Sequence, residues 1–163
     1  MNKDNKLFAE PKGLNDVSAF HELFDLPIVD QPAIPSSDRC ELRVNLLDEE
    51  LQELKQAIAD NDLVEVADAL CDLQYVLSGA VLEFGLGDKF SRLFDNVQES
   101  NMSKACPDYD TALKTQQHYQ ETKGTESFII EKGGRYLVYR KSDKKVLKSV
   151  DYKPTSLEQI IND

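Results

Sequence analysis

Several residue types are scarce in this chain of 163 residues, which contains no tryptophan, two histidines and three cysteines. Cys40, Cys71 and Cys106 are too few and too irregularly spaced for a disulfide framework. We interpret Cys40 and Cys71 as small, buried hydrophobic residues of helices. Because His21 and His118 are the only histidines and the chain has no CxxC motif, we do not expect a zinc site of the usual ligand types.

Long apolar runs are also missing from the sequence. No stretch approaches the roughly 20 residues that a transmembrane helix needs, and the polar start of the chain lacks the apolar segment of a secretory signal. We therefore expect a cytoplasmic protein with no membrane partner. The 40% hydrophobic and 30% charged residues are typical of a folded domain with a sizeable core.

Basic residues are scarce as well. The chain has 19 Lys and Arg against 30 Asp and Glu, which gives a formal net charge of −11. Such a protein repels nucleic acid, so we expect no nucleic-acid partner. The same charge would repel a nucleotide. A ligand that carries phosphate groups would therefore need a divalent cation to invert the local field.

Helix signals dominate the first 125 residues, and β-rich runs follow them. Five helices are predicted, at 16–24 with Asn15 as N-cap, 38–59 with an Asp38–Glu41 capping box, 63–84 before Gly85, 88–102, and 111–122. Runs at 127–131, 135–140 and 146–150 predict three strands. The predicted fold class is mainly α, a four- to five-helix bundle with a small C-terminal antiparallel β meander.

We divide the predicted chain into a helical core at 14–104, a helical connector at 105–125 and a β appendage at 126–163. The appendage is too small to be stable alone, because two or three short strands need a packing partner. We therefore predict that all three segments belong to one compact unit.

Two acidic runs lie inside predicted helices: Glu49, Glu50 and Glu53 in the second helix, and Glu65 and Asp68 in the third. With 3.6 residues per turn, carboxylates three or four positions apart project to the same side of a helix. In the second helix they interrupt an apolar stripe. Taken alone, this first run is better interpreted as a solvated acidic face, because Glu is a good helix former.

The third helix gives the stronger signal, because apolar residues cover nearly its whole circumference and predict a buried helix. Glu65, Asp68 and Asp72 form one line along it. Buried, unpaired carboxylates are costly or become protonated. Lys55 is the only basic residue between positions 46 and 84, so side chains nearby do not neutralise the line.

A bound cation would compensate these carboxylates, and all-oxygen ligands favour Mg²⁺ first and Mn²⁺ second. Two antiparallel helices can face a carboxylate pair from each helix across their seam. Two alternatives stay open: a helical interaction protein that dimerises through the third helix without catalysis, and a di-iron bundle. The second ranks last, because such bundles use Glu-x-x-His pairs that the sequence lacks here.

The pattern EExxE, a spacer and then ExxD resembles the signature of the all-α NTP pyrophosphohydrolase superfamily. That superfamily groups MazG-like enzymes, phosphoribosyl-ATP pyrophosphohydrolases and dimeric dUTPases. The segment 99–104 also resembles the part of MazG-like members that completes the phosphate site. The resemblance covers about 16–104 and implies the all-α NTP pyrophosphatase fold, while the C-terminal strands resemble a tail of some small bacterial and phage members.

The resemblance implies hydrolysis of a nucleoside triphosphate to the monophosphate and pyrophosphate by a metal-activated water. dUTP, another deoxynucleotide or a damaged nucleotide are all open as substrates. Family members usually dimerise, so a homodimer or higher homo-oligomer is expected. The implied metal ligands are Glu50, Glu53, Glu65 and Asp68, with Asp72 joining a second metal or a metal-bound water and Glu49 orienting or deprotonating the attacking water.

Four more residues are candidate substrate contacts under this resemblance. Asn101 and Lys104 would touch phosphate oxygens, Lys89 is a further candidate for that role, and His21 lies on the helix that walls the nucleobase pocket in related enzymes. Three of these residues also have a purely structural interpretation. We prefer His21 as a helix-surface or half-buried histidine, while Asn101 can be a helix-end residue and Lys104 a charge that balances the helix dipole.

Overall fold

A computed structural model describes residues 8–163 and shows a mainly helical chain with a small two-stranded antiparallel sheet, which confirms the predicted fold class. Contacts divide the chain into two compact units, 1–90 and 91–163. The elements are α1 (Gly13–Leu23), α2 (Ser37–Ala59), α3 (Leu63–Glu83), α4 (Phe90–Met102), α5 (Tyr109–Lys123), β1 (Ser127–Lys132), β2 (Arg135–Arg140) and α6 (Leu157–Asn162), with a 3₁₀ turn at Gly87–Lys89.

The first unit is built on the antiparallel α2–α3 pair, against which α1 packs on the α3 side. The tight turn between α2 and α3 has Asn61 in the left-handed conformation at φ 55°. Asp62 then caps α3, because its Oδ1 accepts hydrogen bonds from the backbone N–H groups of Val64 at 2.9 Å and Glu65 at 3.2 Å. This turn fixes which carboxylates of the two helices face one another.

Gly85 ends α3 in the left-handed conformation at φ 67°, as predicted. A Cβ atom at this position would lie 2.0 Å from the carbonyl oxygen of Gln31, so only glycine fits. The Pro-rich segment before α2 runs along this end of α3, since the N–H of Val29 donates to the carbonyl of Leu82 at 3.1 Å. This close approach of the two segments explains why glycine is required where the helix ends.

The second unit packs α5 against the β1–β2 hairpin. Its buried core contains Cys106, Ala112, Val138 and Leu147. Gly133 and Gly134 form the hairpin turn with φ values of 59° and 72°, the positive values that a two-residue type I′ turn requires. The register pairs the first residue of β1 with the last residue of β2.

The predicted third strand of the meander is wrong. Val146 forms only an isolated bridge with Tyr139, so the sheet has two strands. The chain leaves β2 after Leu147, because the N–H of Ser149 donates to the carbonyl of Lys104 at 3.2 Å and that of Val150 donates to Thr115 Oγ1 at 3.0 Å. Packing partners outside the sheet therefore override the β-rich composition.

Several helix starts also differ from the predictions. The first helix begins at Gly13 after Lys12, not at Asp16 after Asn15. The predicted capping box of the second helix is absent from the described chain, because Asp38 already lies inside the first turn. Helix starts are poorly fixed by sequence, since several polar residues in a row can each serve as the cap.

The predicted segments 14–104, 105–125 and 126–163 differ from the two units, because nearly all of α4 groups with the C-terminal unit. The assignment of functions to those segments stays a prediction. Within residues 8–163, no single helix is long and apolar enough to cross a membrane, and α3 reaches that length and composition only together with the separate segment Gly87–Met102.

Candidate metal and substrate site

The α2–α3 pair brings most of the predicted carboxylates together around Glu50. The Oε2 atom of Glu50 is buried and has no hydrogen-bond partner in the described part of the chain. Burial raises the pKa of the Glu50 carboxyl, and the charges of Glu53, Asp72, Glu49 and Asp68 raise that pKa further. A bound cation would compensate a buried carboxylate oxygen that has no donor and lies among four other carboxylates, which makes this the candidate metal site.

The side chains are not yet arranged as a ligand set. Across residues 8–163, no three His, Cys, Asp or Glu side chains lie together in a metal-binding geometry. Glu49, Glu53 and Asp68 are exposed and Asp72 is half-buried, so their rotamers are free to change. The helix backbones, by contrast, fix which carboxylates face Glu50.

Glu65 stands apart from the other predicted ligands. It is exposed in the first turn of α3 and is not among the main charges that act on Glu50. The structure therefore groups Glu49, Glu50, Glu53, Asp68 and Asp72, and leaves Glu65 at the end of the line. All of these residues donate oxygen, and oxygen donors suit hard divalent ions.

The prediction that α3 is buried nearly all round is wrong for the single chain. Leu63, Val64 and Leu70 are 79%, 75% and 52% exposed, and Cys71, predicted to be buried, is exposed as well. Cys40 is half-buried. The reason is geometric: α1 and α2 cover only one side of α3, so the apolar N-terminal half of α3 faces outward within its unit.

A buried ionic cluster at the other end of the helix pair was missed by the sequence analysis. Glu83, at the end of α3, accepts hydrogen bonds from Arg39 and Arg43, which lie near the start of α2. Burial alone would raise the pKa of the Glu83 carboxyl, but the hydrogen bonds from the two guanidinium groups outweigh burial and hold this pKa low. The available signal was the i,i+4 spacing of the arginines opposite a lone acid on an antiparallel helix.

His21 belongs to the same cluster and is 2% exposed, so its interpretation as a helix-surface or half-buried histidine is wrong. Nδ1 lies 2.8 Å from the carbonyl oxygen of Pro27, and Nε2 lies 3.4 Å from Nη2 of Arg43. Gly79 makes room for this arrangement, because a Cβ atom there would lie 2.6 Å from Nη1 of Arg43. A cavity of about 210 Å³ adjoins these residues and is also lined by Tyr75.

The other three candidate substrate contacts lie outside the helix pair. Lys89 is half-buried in the 3₁₀ turn of the first unit. Asn101 and Lys104 lie in the second unit, where Nζ of Lys104 donates to Oδ1 of Asn101 at 2.7 Å. That hydrogen bond joins two of the predicted phosphate contacts to one another.

Sequence comparisons agree with this arrangement. The model of the phosphoribosyl-ATP pyrophosphohydrolase family matches residues 17–101, about half of the chain and the part that holds all the grouped carboxylates. A protein of Acanthamoeba polyphaga mimivirus named "Uncharacterized protein L479" is 32% identical over 81 residues, which are 47% of this chain and 32% of that protein. The chain thus spans about a third of the length of that relative.

Family membership accounts for the acidic helix pair, because the family is typically dependent on a divalent metal and hydrolyses nucleotide pyrophosphate bonds. The chain belongs to the phosphoribosyl-ATP pyrophosphohydrolase family, within the MazG-like all-α NTP pyrophosphohydrolase superfamily.

Proposed function

We propose that this protein hydrolyses a nucleoside triphosphate to the monophosphate and pyrophosphate, with Mg²⁺, or Mn²⁺ in its place, as cofactor. The observation that carries the proposal is the buried, unpartnered Glu50 oxygen among four other carboxylates. A buried carboxylate oxygen without a hydrogen-bond donor is costly, and a bound cation would compensate it. dUTP and other deoxynucleoside triphosphates are the first substrates to test.

The grouped residues divide into two proposed roles. Glu50, Glu53, Asp68 and Asp72 would hold the metal, and Glu65 would join them from the first turn of α3. A bound divalent ion neutralises the charge of the polyphosphate and lowers the pKa of water. Glu49, exposed beside this group on α2, would orient the attacking water and accept its proton.

Substrate contacts are proposed for the remaining candidates. Lys89, Asn101 and Lys104 would donate to phosphate oxygens, because each carries an N–H donor and the two lysines carry positive charge. His21 cannot contact a ligand freely, since both of its ring nitrogens lie near protein atoms. We propose that it shapes the cavity beside Tyr75 instead.

A homodimer is proposed from the exposed apolar residues of α3, because Leu63, Val64 and Leu70 form an uncovered apolar surface in the single chain. The same surface supports the second candidate function, a helical interaction protein without catalysis. That alternative leaves the unpartnered Glu50 oxygen unexplained. Sedimentation of the wild type and of Leu70→Glu would test the dimer.

One assay separates the two functions. The protein is incubated with Mg²⁺ and a panel of nucleoside and deoxynucleoside triphosphates, and pyrophosphate is measured. We expect a Glu53→Gln/Asp68→Asn double variant to lose at least about 100-fold in rate, the scale of losing electrostatic stabilisation of a transition state. Glu41→Gln, an exposed position on the same helix, is the matched control and should keep full activity.

The melting temperature provides a second measurement. Mg²⁺ with a non-hydrolysable nucleotide should raise it to a saturating value in the wild type and the control, but not in the double variant. The absence of pyrophosphate release from every nucleotide, or equal release from the double variant, would leave the interaction protein as the better proposal.

A further inference from the structure

A second charged cavity lies entirely within the C-terminal unit, and it is basic. Its volume is about 460 Å³, and α5, β2 and the segment after β2 form its walls. Five of the nine side chains that line it are cationic and none is acidic: Lys104, Lys123, Arg140, Lys145 and Lys148. A cavity lined this way is unusual in a chain whose formal charge is −11.

The sequence concentrates positive charge in this unit. Residues 1–90 carry 7 Lys and Arg against 19 Asp and Glu, a formal charge of −12, whereas residues 91–163 carry 12 against 11, a formal charge of +1. The basic side chains of the second unit are therefore available to gather around one cavity. Their gathering there is not a consequence of a generally basic surface.

Carboxylates in the described part of the chain neutralise only one of the five cations. Arg140 forms a bidentate pair with Asp143, with contacts of 2.7 Å and 2.5 Å. The charge of Lys145 also acts on the Asp143 carboxylate. The other three have neutral partners: Lys104 donates to Asn101, Lys123 lies 5.1 Å from the centre of the Tyr119 ring, and Lys148 lies 4.0 Å from the centre of the Tyr152 ring.

Neutral partners hold an ammonium group in place without removing its charge. The cations consequently repel one another across the cavity, and a multiply charged anion would relieve that repulsion. The hydrogen bond from Ser100 lowers the pKa of the Tyr152 hydroxyl, and the nearby positive charges of Lys148 and Lys104 lower that pKa further. The same positive field thus acts on a neighbouring group.

We propose that this cavity binds a diphosphate group. A phosphate chain offers several negative charges and many acceptor oxygens, and lysine ammonium groups bind phosphate as point charges. The cavity has the size of small-ligand sites, so it has room for a diphosphate with or without a nucleoside attached. Thr125 on its wall adds a neutral hydroxyl donor.

This proposal does not rest on the proposed catalysis, although Lys104 is also a proposed phosphate contact of the catalytic site. The acidic helix pair can attract a polyphosphate only with a divalent cation, whereas the basic cavity needs none. Binding measured with a chelator present therefore reports on the basic cavity alone. Loss of metal-dependent pyrophosphate release would contradict the proposed function and leave this proposal standing.

Calorimetric titration of the whole 163-residue chain in EDTA provides the test, with inorganic pyrophosphate as the probe. We expect saturable binding with one site per chain. Lys145→Gln/Lys148→Gln should raise the Kd by about tenfold, because the variant removes two charge-assisted contacts to the phosphate groups and solvent screening limits what each contributes. Lys114→Gln/Lys132→Gln removes the same charge from exposed positions outside the cavity and should leave the Kd unchanged.

Further arms identify the source of the diphosphate. Tighter binding of a nucleoside triphosphate than of pyrophosphate would identify a nucleotide as the ligand. Equal binding of the two would identify a free diphosphate. Orthophosphate should bind more weakly than either. Lys145→Gln alone guards against misfolding, because Lys145 is exposed and lies over no ring in the described chain. Unsaturable binding, or equal weakening by both double variants, would overturn the proposal.

Discussion

The carboxylates of Glu83 and Glu50, at the two ends of the α2–α3 pair, have opposite environments. At one end, Glu83 is 1% exposed and accepts hydrogen bonds from Arg39 and Arg43, which keep its pKa low. At the other end, Glu50 has an unpartnered buried oxygen and a pKa raised by burial and by other carboxylates. The same pair of helices thus satisfies one acid and leaves another unsatisfied.

This contrast distinguishes a carboxylate that stabilises the fold from one that is available to bind a cation. Where the chain itself supplies the cation, the carboxylate fixes how two helices pack. Where the chain supplies none, the carboxylate costs stability and is available to an external cation. An isosteric change from Glu to Gln should therefore have opposite effects at the two ends.

The largest expected effect is the destabilisation caused by Glu83→Gln. The variant leaves the buried guanidinium of Arg43 without a carboxylate, and breaking a buried ion pair from one side costs about 3 kcal/mol or more. Urea unfolding monitored by circular dichroism measures this loss of stability. Glu41→Gln, exposed on α2, should change stability by less than about 0.5 kcal/mol. Equal stability of the two variants would contradict the structural role of Glu83.

Gly79→Ala should cost about 1–3 kcal/mol, the usual range for overpacking a core. The added Cβ atom would lie 2.6 Å from Nη1 of Arg43 and 3.2 Å from Nε2 of His21. Arg43 cannot move away without losing Glu83. Thermal unfolding tests this, and a rise in stability, the ordinary result of replacing a mid-helix glycine by alanine, would refute the proposed packing.

Glu50→Gln should raise stability in metal-free buffer by about 1 kcal/mol, because it removes an unsatisfied buried charge. The same variant should reduce the rise in melting temperature that Mg²⁺ and a nucleotide produce. Destabilisation in metal-free buffer by an amount similar to that of Glu83→Gln would show that Glu50 has a protein partner and would remove the main support for the metal site.

Local signals of the sequence predicted most of the helix pair. Gly85 marks the end of α3 through a backbone rule that acts within a few residues. The spacing of Glu49, Glu50 and Glu53 likewise predicted which carboxylates share a helix face. These features depend on neighbours along the chain, so they are readable without a structure.

Features that depend on distant partners were not readable in the same way. The Arg43–Glu83 pair joins residues 40 positions apart, and its formation requires the register of two helices to be known. The residues around Val146 are β-rich, but from Ser149 onward the chain bonds to Lys104 and Thr115 instead of β2. The exposure of Leu63 on α3 depends on which elements of the chain cover that face, which the periodicity of apolar residues does not report.

The smallest expected effect is the change of stability with pH, and it is the one most specific to the two carboxylates. Because the pKa of Glu83 lies below its ordinary value of 4.5, the stabilisation by this group is complete above pH 4.5 and is lost as the pH falls through the lowered pKa. The pKa of Glu50 lies above its ordinary value of 4.5, so the destabilisation by this group is complete above the raised pKa. It is relieved as the pH falls through that pKa towards 4.5.

The two Gln variants should therefore converge with the wild type in different pH windows. In metal-free urea titrations, the difference between Glu50→Gln and the wild type should shrink as the pH falls through the raised pKa of Glu50 and should be closed once pH 4.5 is reached, since protonation then neutralises Glu50. The difference between Glu83→Gln and the wild type should persist to pH 4.5 and close only below it. If both differences close in the same window, the two carboxylates experience similar environments, and the contrast between the ends of the helix pair fails.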